Sequence, residues 1–232
     1  MISLPSNYQE LERVYQRLPV AQSSCIGVSS AQPEEGVSTL VDAIARRAAA
    51  ANRRVLVVDF NLHHPRQFDI PLFDLGWDKG KVQGVIKDPH TGIDYLPSPN
   101  DKASLLSLKE PGVIEQWVEQ WKESYQLVLV DTSAVNQNNG GNISAQRALS
   151  SCDASIITMM AGLTSRPAFE SAIADLRTDD VRLIGVVMND RFNPSLKSEL
   201  LRETSRITVL FPRFKRYVQR ILINSQLLSI RV

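Results

Sequence analysis

Short apolar runs rich in β-branched residues alternate along this chain with longer segments of helical periodicity. The runs that predict strands are Cys25–Ser29, Arg54–Asp59, Leu127–Asp131, Ala154–Met159 and Leu183–Met188. The segments that predict helices are Thr39–Ala51, Val113–Tyr125, Ser144–Ser151, Arg166–Arg177 and Ser195–Glu203. Because most of the strand runs are apolar throughout, they are typical of strands buried on both faces of a parallel sheet. The alternation therefore predicts an α/β fold in which helices flank a doubly wound, mostly parallel sheet.

The length of 232 residues favours one main α/β domain. We assign residues 23–212 to that domain, residues 1–22 to an N-terminal helix or interaction segment, and residues 213–232 to a C-terminal amphipathic helix. Proline and glycine punctuate residues 66–100, so this stretch is predicted to be irregular loop with one short strand, Ile93–Leu96.

Composition argues against several classes of protein. Lys and Arg (26) nearly balance Asp and Glu (25), which gives no overall attraction to nucleic acid. The two cysteines, Cys25 and Cys152, have no partner at metal-ligand spacing. No apolar window approaches the length of a membrane span, and the first residues lack the pattern of a signal peptide. We therefore expect a cytoplasmic protein with no nucleic-acid partner.

The segment after the first predicted strand has the position and length of a phosphate-binding loop. From Ser30 it runs through Pro33, Glu34, Glu35, Gly36, Val37, Ser38 and Thr39, and an alanine-rich helix follows. A turn of this kind directs the N-terminus of a helix at an anion. A plain strand–turn–helix connection stays open as the alternative.

The residue types in this loop do not match the chemistry of phosphate binding. A working loop needs a lysine after its last glycine to contact the β- and γ-phosphates, and Val37 stands there instead. Glu34 and Glu35 add negative charge beside the expected pocket, and like charges repel a triphosphate. Ser38 remains as a candidate magnesium ligand.

The stretch from Ser23 to Pro65 resembles the amino-terminal half of the bacterial tyrosine kinase (BY-kinase) domain. That family belongs to the MinD/ParA-type P-loop ATPases and serves exopolysaccharide synthesis and export. Its loop reads S-x-x-P-G-E-G-K-S-T, so Glu34 replaces a glycine and Val37 replaces the Walker A lysine. The residues that match are Pro33, Glu35, Gly36, Ser38 and Thr39.

Two further motifs of the family are present in altered form. In the pattern V-L-x-x-D-x-D-x-R-x-P, Asp59 and Pro65 match, while Asn61 and His63 replace the second aspartate and the arginine. The third motif, an apolar run followed by D-x-P-P, keeps Asp131 but has lost both prolines.

Asn189 ends a strand whose terminal asparagine contacts adenine in this superfamily. The resemblance covers roughly residues 8–210 in the correct order.

The resemblance implies a pseudo-ATPase or pseudokinase, with Asp59 and Asp131 as vestigial catalytic residues. We expect no resident cofactor and an interaction or regulatory role beside a membrane-bound polysaccharide machine. An active ATPase stays open as the alternative. It would bind ATP or ADP weakly through loop amides, Ser38, Asp59 and Asp131, with magnesium held by Ser38 and Asp131. Arg66, Arg191 or a partner's lysine would then complete the site.

The first predicted helix offers one candidate interaction surface. The kinases carry an E-x-x-R-x-x-R stretch there that supports ring assembly; Glu10 and Arg13 match it, and Gln16 stands where the second arginine is expected. This implies protein partners and a homo- or hetero-oligomer. An exposed amphipathic helix with charges three residues apart is the equally weighted alternative.

The C-terminal segment offers a second candidate surface. Apolar residues at helical spacing are interleaved with basic ones, and the residues singled out are Arg213, Phe214, Lys215, Arg216, Tyr217 and Arg220. A basic amphipathic helix lies readily on an anionic membrane, which would place the protein at the inner face of the inner membrane or make it a membrane-positioning protein. The alternative is the last helix of the fold. Tyr217 alone stands where the kinases have a tyrosine-rich autophosphorylation tail, so autokinase activity is not expected.

Overall fold

The computed structural model describes residues 8–19, 23–68, 77–78, 81–82, 85–137 and 141–191. Its helices are α1 (Gln9–Tyr15), α2 (Val37–Ala50), α3 (Lys102–Lys109), α4 (Val113–Ser124), α5 (Ala145–Ser150) and α6 (Arg166–Thr178). Its strands are β1 (Ser24–Ser30), β2 (Val55–Phe60), β3 (Trp77–Asp78), β4 (Lys81–Val82), β5 (Ile86–Lys87), β6 (Asp94–Leu96), β7 (Leu127–Thr132), β8 (Ala154–Met160) and β9 (Leu183–Asn189).

Seven of these strands form one sheet in the order β5-β6-β2-β7-β1-β8-β9. All neighbouring pairs are parallel except β5 and β6, which are antiparallel. β3 and β4 pair separately. The predicted mostly parallel, doubly wound sheet is therefore confirmed. Its parallel strands require crossover connections, and α2, α5 and α6 lie in three of them.

The three central strands are buried along their whole length, as expected for a sheet with helices on both faces. One cluster of buried side chains packs α1 and α2 against the sheet, and Leu11, Tyr15 and Leu18 belong to it. A second cluster packs α4 against the sheet and contains Trp117 and Trp121. A third cluster lies under α5 and α6.

The irregular stretch was predicted incompletely. Residues 66–100 contain the short strands β3, β4 and β5 in addition to the expected one at Asp94–Leu96. Two-residue strands are too short for a period-two pattern to be seen. Helix α3 was also missed, because only Leu108 of its leucines is buried and Leu106 is exposed.

Chain contacts divide the molecule into two units. Residues 1–160 and 164–189 form the first unit, which contains every helix and strand named above. Residues 161–163 and 190–232 form the second, of which residues 161–163, 190 and 191 are described. The predicted helix Ser195–Glu203 and the basic segment 213–232 lie outside the described residues. No helix of the described residues has the length and apolarity needed to cross a membrane.

Gly27 in β1 marks a close approach that a larger residue would disrupt. A Cβ atom there would lie 2.4 Å from Leu149 Cδ2, 3.2 Å from Cys152 Sγ and 3.3 Å from Ser155 Oγ. We expect Gly27→Ala to lower the free energy of unfolding by about 1–3 kcal/mol, because these packed neighbours must move. Denaturant unfolding measures this. Gly185→Ala is the control, since no atom lies within 4 Å of its Cβ position; equal losses in the two variants would contradict the prediction.

Candidate functional site

The carboxyl ends of β1, β7 and β2 meet at one edge of the sheet. β7 lies between the other two, and its Asp131 is the register partner of Asp59 on β2. Ligands of such sheets bind outside the carboxyl ends of the strands. The loop after β1, the segment after β2 and the end of β7 therefore form the candidate site.

The loop between β1 and α2 has the backbone conformation of a phosphate-binding turn. Glu34 and Gly36 both have positive φ angles, of 65° and 94°. Helix α2 begins at Val37, and its N-cap residue, Gly36, has no side chain with which to cap it. The free N–H groups and the dipole of a helix N-terminus favour an anion. The geometry for binding an anion is thus retained.

Glu35 is directed into the protein and holds the loop together. Its carboxylate accepts hydrogen bonds from the backbone N–H groups of Ala31 (3.0 Å) and Gln32 (3.1 Å) and from the Thr164 hydroxyl. The residue is 3% exposed. The expectation that Glu35 places its charge beside the phosphate pocket is therefore corrected, because its carboxylate is turned into the protein. Glu34 is exposed, and its position near a phosphate stays a prediction.

Val37, at the position of the expected lysine, is buried. It is 8% exposed and belongs to the apolar cluster between α2 and the sheet. Its side chain contributes packing and no charge. Ser38 and Thr39 are partly buried, and Pro33 is exposed.

Asn189 lies against the loop. Its side-chain Nδ2 donates a hydrogen bond to the Glu35 carbonyl oxygen at 3.2 Å. The same nitrogen would lie 2.6 Å from a Cβ atom added to Gly36, so the loop needs glycine at this position. Its predicted role on the adenine side stays a prediction.

Asp59 is buried at the end of β2, and both of its carboxylate oxygens accept backbone hydrogen bonds. The donors are the N–H of Asn61 (2.8 Å) and the N–H of Arg66 (2.6 Å). Burial raises the pKa of Asp59, while these hydrogen bonds oppose the shift. Asp59 thereby fixes the turn that follows β2.

Asp131 is buried beside Asp59. Burial, with the Asp59 charge as the next cause, raises the pKa of Asp131 to about 7; the Ser38 hydroxyl and Arg66 act in the opposite direction. Its Oδ1 atom is buried and has no hydrogen-bond partner within the part of the chain that the structure describes.

Arg66 and Asp42 also belong to this site; Arg66 was a candidate from its position after a strand end, whereas Asp42 was not identified from the sequence. The Arg66 guanidinium donates to Asp42 Oδ2 at 2.9 Å and lies 3.6 Å from Asp131 Oδ2. It also lies over the Tyr95 ring, 5.1 Å from the ring centroid. Burial opposes the charge of Arg66, but the neighbouring carboxylates outweigh it and raise its pKa. The signal for Asp42 was an acidic residue within the apolar run of α2, which needs a partner when buried.

These residues do not fit the magnesium ion on Ser38 and Asp131 that the active-ATPase alternative requires. Both oxygens of Asp59 already accept backbone hydrogen bonds, and Asp131 lies opposite a guanidinium. Among the described residues, no group of three or more His, Cys, Asp or Glu side chains is placed to hold a metal ion. The loop offers no positive side chain to the phosphates.

The predicted interaction residues of α1 lie on its outer side. Glu10 and Arg13 are exposed, while Leu11 and Tyr15 are buried. Glu12 pairs with Arg47 of α2. The exposed charges leave this face open to a partner, and their role in assembly stays a prediction.

Glu34→Gly tests the backbone conformation of the loop. The left-handed region costs a residue with a Cβ about 1–2 kcal/mol, whereas glycine adopts it freely at a larger entropy cost on folding. We expect Glu34→Gly to raise the free energy of unfolding by about 0.5 kcal/mol. Glu34→Ala keeps the Cβ and should give no gain. Equal denaturation midpoints for the two variants would argue against a strained Glu34.

Asp131→Asn tests the proton on the buried carboxyl. A raised pKa means that the folded state is favoured while Asp131 is protonated, and this stability is lost as the pH rises through about 7. The free energy of unfolding of the variant, relative to the unmodified protein, should therefore increase between pH 5 and pH 8. The slope is at most about 1.4 kcal/mol per pH unit.

Asp101→Asn is the control for this experiment, because hydrogen bonding to Ser104 lowers the pKa of Asp101 and its titration lies below pH 5. The difference for this variant should be flat over the same range. A flat difference for Asp131→Asn as well would show that its side chain is ionised throughout.

No family model and no curated protein matches this chain. Solved structures do match it. The kinase domain of VpsO aligns with a TM-score of 0.65 and 19% identity, covering 78% of this chain and 91% of that one. The kinase domain of the Escherichia coli tyrosine kinase ETK aligns with a TM-score of 0.64 and 17% identity, covering 78% and 72%.

The MinD cell division protein of Aquifex aeolicus aligns with a TM-score of 0.53 and 23% identity, covering 72% of this chain and 69% of that one. At these identities the similarity concerns the fold. This chain therefore has the P-loop fold shared by bacterial tyrosine-kinase domains and MinD-type ATPases.

Proposed function

We propose that this protein is a catalytically inactive P-loop protein that acts as an interaction or regulatory subunit of a bacterial envelope polysaccharide system. The observation that carries the proposal is Val37. The side chain at the lysine position is apolar and buried in the core, while the turn around it keeps its phosphate-loop conformation. The loop between β1 and α2 is present, but it lacks the positive lysine side chain that phosphate transfer requires.

Glu35, which matches the loop motif of the family, holds the loop in place. Its carboxylate binds two amides of the loop and the Thr164 hydroxyl, so the loop is ordered by a residue of its own. A loop that is already satisfied needs no nucleotide to order it. Because Glu35 is shared with the family's loop, the inference that assembly does not follow a nucleotide cycle and that no resident cofactor is needed rests on Val37.

The choice of partner rests on the fold and on α1. The structures similar to this chain include tyrosine-kinase domains, and the BY-kinase resemblance connects such domains with polysaccharide synthesis and export. The exposed Glu10 and Arg13 of α1 form the proposed contact surface. We propose a protein partner of a membrane polysaccharide machine, such as the cytoplasmic tail of a chain-length regulator, with residues 213–232 as a peripheral membrane contact.

A second candidate is an active ATP-binding protein. The uncapped N-terminus of α2 favours it, because this end of the helix can still attract a phosphate. Ser38 and Asp131 would be its magnesium ligands, although Asp131 lies opposite the Arg66 guanidinium.

Calorimetric titration with ATP and ADP in the presence of magnesium separates the two candidates. We expect no binding heat from the unmodified protein, and binding by the double variant Val37→Lys, Glu34→Gly, because the added ammonium group supplies the missing phosphate contact. Val37→Met, Glu34→Gly is the matched control, with a long side chain and no charge. Micromolar binding by the unmodified protein would overturn the proposal and favour the active ATPase.

A further inference from the structure

The carboxylate cluster at the edge of the sheet consists of Asp42, Asp59 and Asp131. All three residues are buried, at 6%, 2% and 2% exposure. They come from α2, β2 and β7, so the fold itself brings them together. Buried carboxylates of like charge are unfavourable unless a positive group compensates them.

Arg66 supplies that positive group. Its side chain is 10% exposed, and its guanidinium contacts Asp42 at 2.9 Å and Asp131 at 3.6 Å. Its backbone N–H donates to Asp59 at 2.6 Å. One residue thus contacts all three carboxylates, two through its charge and one through its main chain.

The position of the guanidinium is fixed from several sides. The Tyr95 ring of β6 supports it at 5.1 Å, and Phe68 packs on the same ring with centroids 5.8 Å apart. The hydrogen bond to Asp59 fixes the backbone that carries the side chain. Arg66 is therefore held among the carboxylates by packing as well as by charge.

The cluster keeps unused hydrogen-bonding capacity. Among the described residues, Asp42 Oδ1, Asp131 Oδ1 and the Nε and Nη2 atoms of Arg66 are buried without a hydrogen-bond partner. Oxygen atoms of this kind are what a hard divalent cation binds. With the guanidinium in place, a second cation in the cluster would meet a fixed positive charge.

We propose that Arg66 is a built-in counter-cation that supplies part of the positive charge a divalent metal ion would bring to this cluster. An arginine stays protonated at every physiological pH. Arg66 therefore offsets one unit of the negative charge of the three carboxylates without any metal or nucleotide, and it holds the side chains of the site in place in their absence. This inference rests on the proposed function and adds to it the reason why the site needs no ligand-driven switch.

Removal of Arg66 provides the test, measured by thermal unfolding in the absence of nucleotide. Arg66→Gln should lower the unfolding midpoint by roughly 10 °C, because it leaves the buried carboxylates uncompensated. Addition of 10 mM MgCl₂, against NaCl of equal ionic strength, should raise the midpoint of this variant by about 3 °C, as expected for a site with a Kd of about 1 mM. The unmodified protein should show no magnesium-specific rise.

Arg147→Gln is the matched control. It also removes an arginine from an ion pair, with Glu115, but not from a carboxylate cluster. It should lose less stability and show no response to magnesium. If Arg66→Gln does not fold, Asp42→Asn combined with Arg66→Gln replaces it; neutralising both partners should restore folding, because the excess negative charge is reduced.

Two results would overturn the inference. One is a folded Arg66→Gln variant that does not respond to magnesium, and the other is a magnesium-specific rise in the unmodified protein. Both unfolding midpoints are measured without nucleotide, so these results are independent of the ATP titration. Binding of ATP by the unmodified protein would refute the proposed function and leave the role of Arg66 to be decided by these midpoints.

Discussion

Parallel pairing of β2, β7 and β1 is the constraint on which the rest of the site depends. The register places Asp59 and Asp131 next to each other at the ends of their strands, and helices on both faces keep them from solvent. Two buried carboxylates so close together are unfavourable, and the surrounding contacts counteract this. The amides after β2 bind Asp59, and a guanidinium faces Asp131.

The loop after β1 combines the backbone geometry of an anion-binding turn with side chains that do not bind phosphate. Its left-handed residues and the helix start at Val37 are those of an anion-binding turn, yet the apolar side chain of Val37 belongs to the core. The same turn can therefore serve as a rigid connection between β1 and α2. The similarity in fold to kinase domains and MinD concerns the backbone geometry of this loop. It carries no information about the chemistry of the loop's side chains.

The central strands and most helices could be predicted from sequence because their signals are local. Continuous apolar runs define β1, β2 and β7, and serine N-caps start α5 and α6 where the pattern suggests. The sequence also identified the loop and the two aspartates at the strand ends.

The contacts within the site could not be predicted, because they join residues that are distant along the chain. Asp42 and Arg66 are 24 residues apart, and Glu35 meets Thr164 across 129 residues. Glu35 points inward, where its carboxylate meets the Thr164 hydroxyl, and only the tertiary fold brings these two groups together. The sequence argument therefore placed the Glu35 charge beside the phosphate pocket, although its carboxylate is turned into the protein and binds the amides of the loop.

That inward carboxylate has a consequence for how the loop responds to any ligand. Phosphate-binding loops commonly become ordered when the anion arrives, and part of the binding free energy is spent on lost backbone entropy. Here the carboxylate of Glu35 accepts hydrogen bonds from the Ala31 and Gln32 amides in the folded protein without any ligand. The Glu35 side chain preorganises the loop, so this contact does not depend on whether a ligand is bound. Under the proposed function, regulation would therefore pass through surfaces that contact other molecules rather than through the site at the carboxyl ends of the strands.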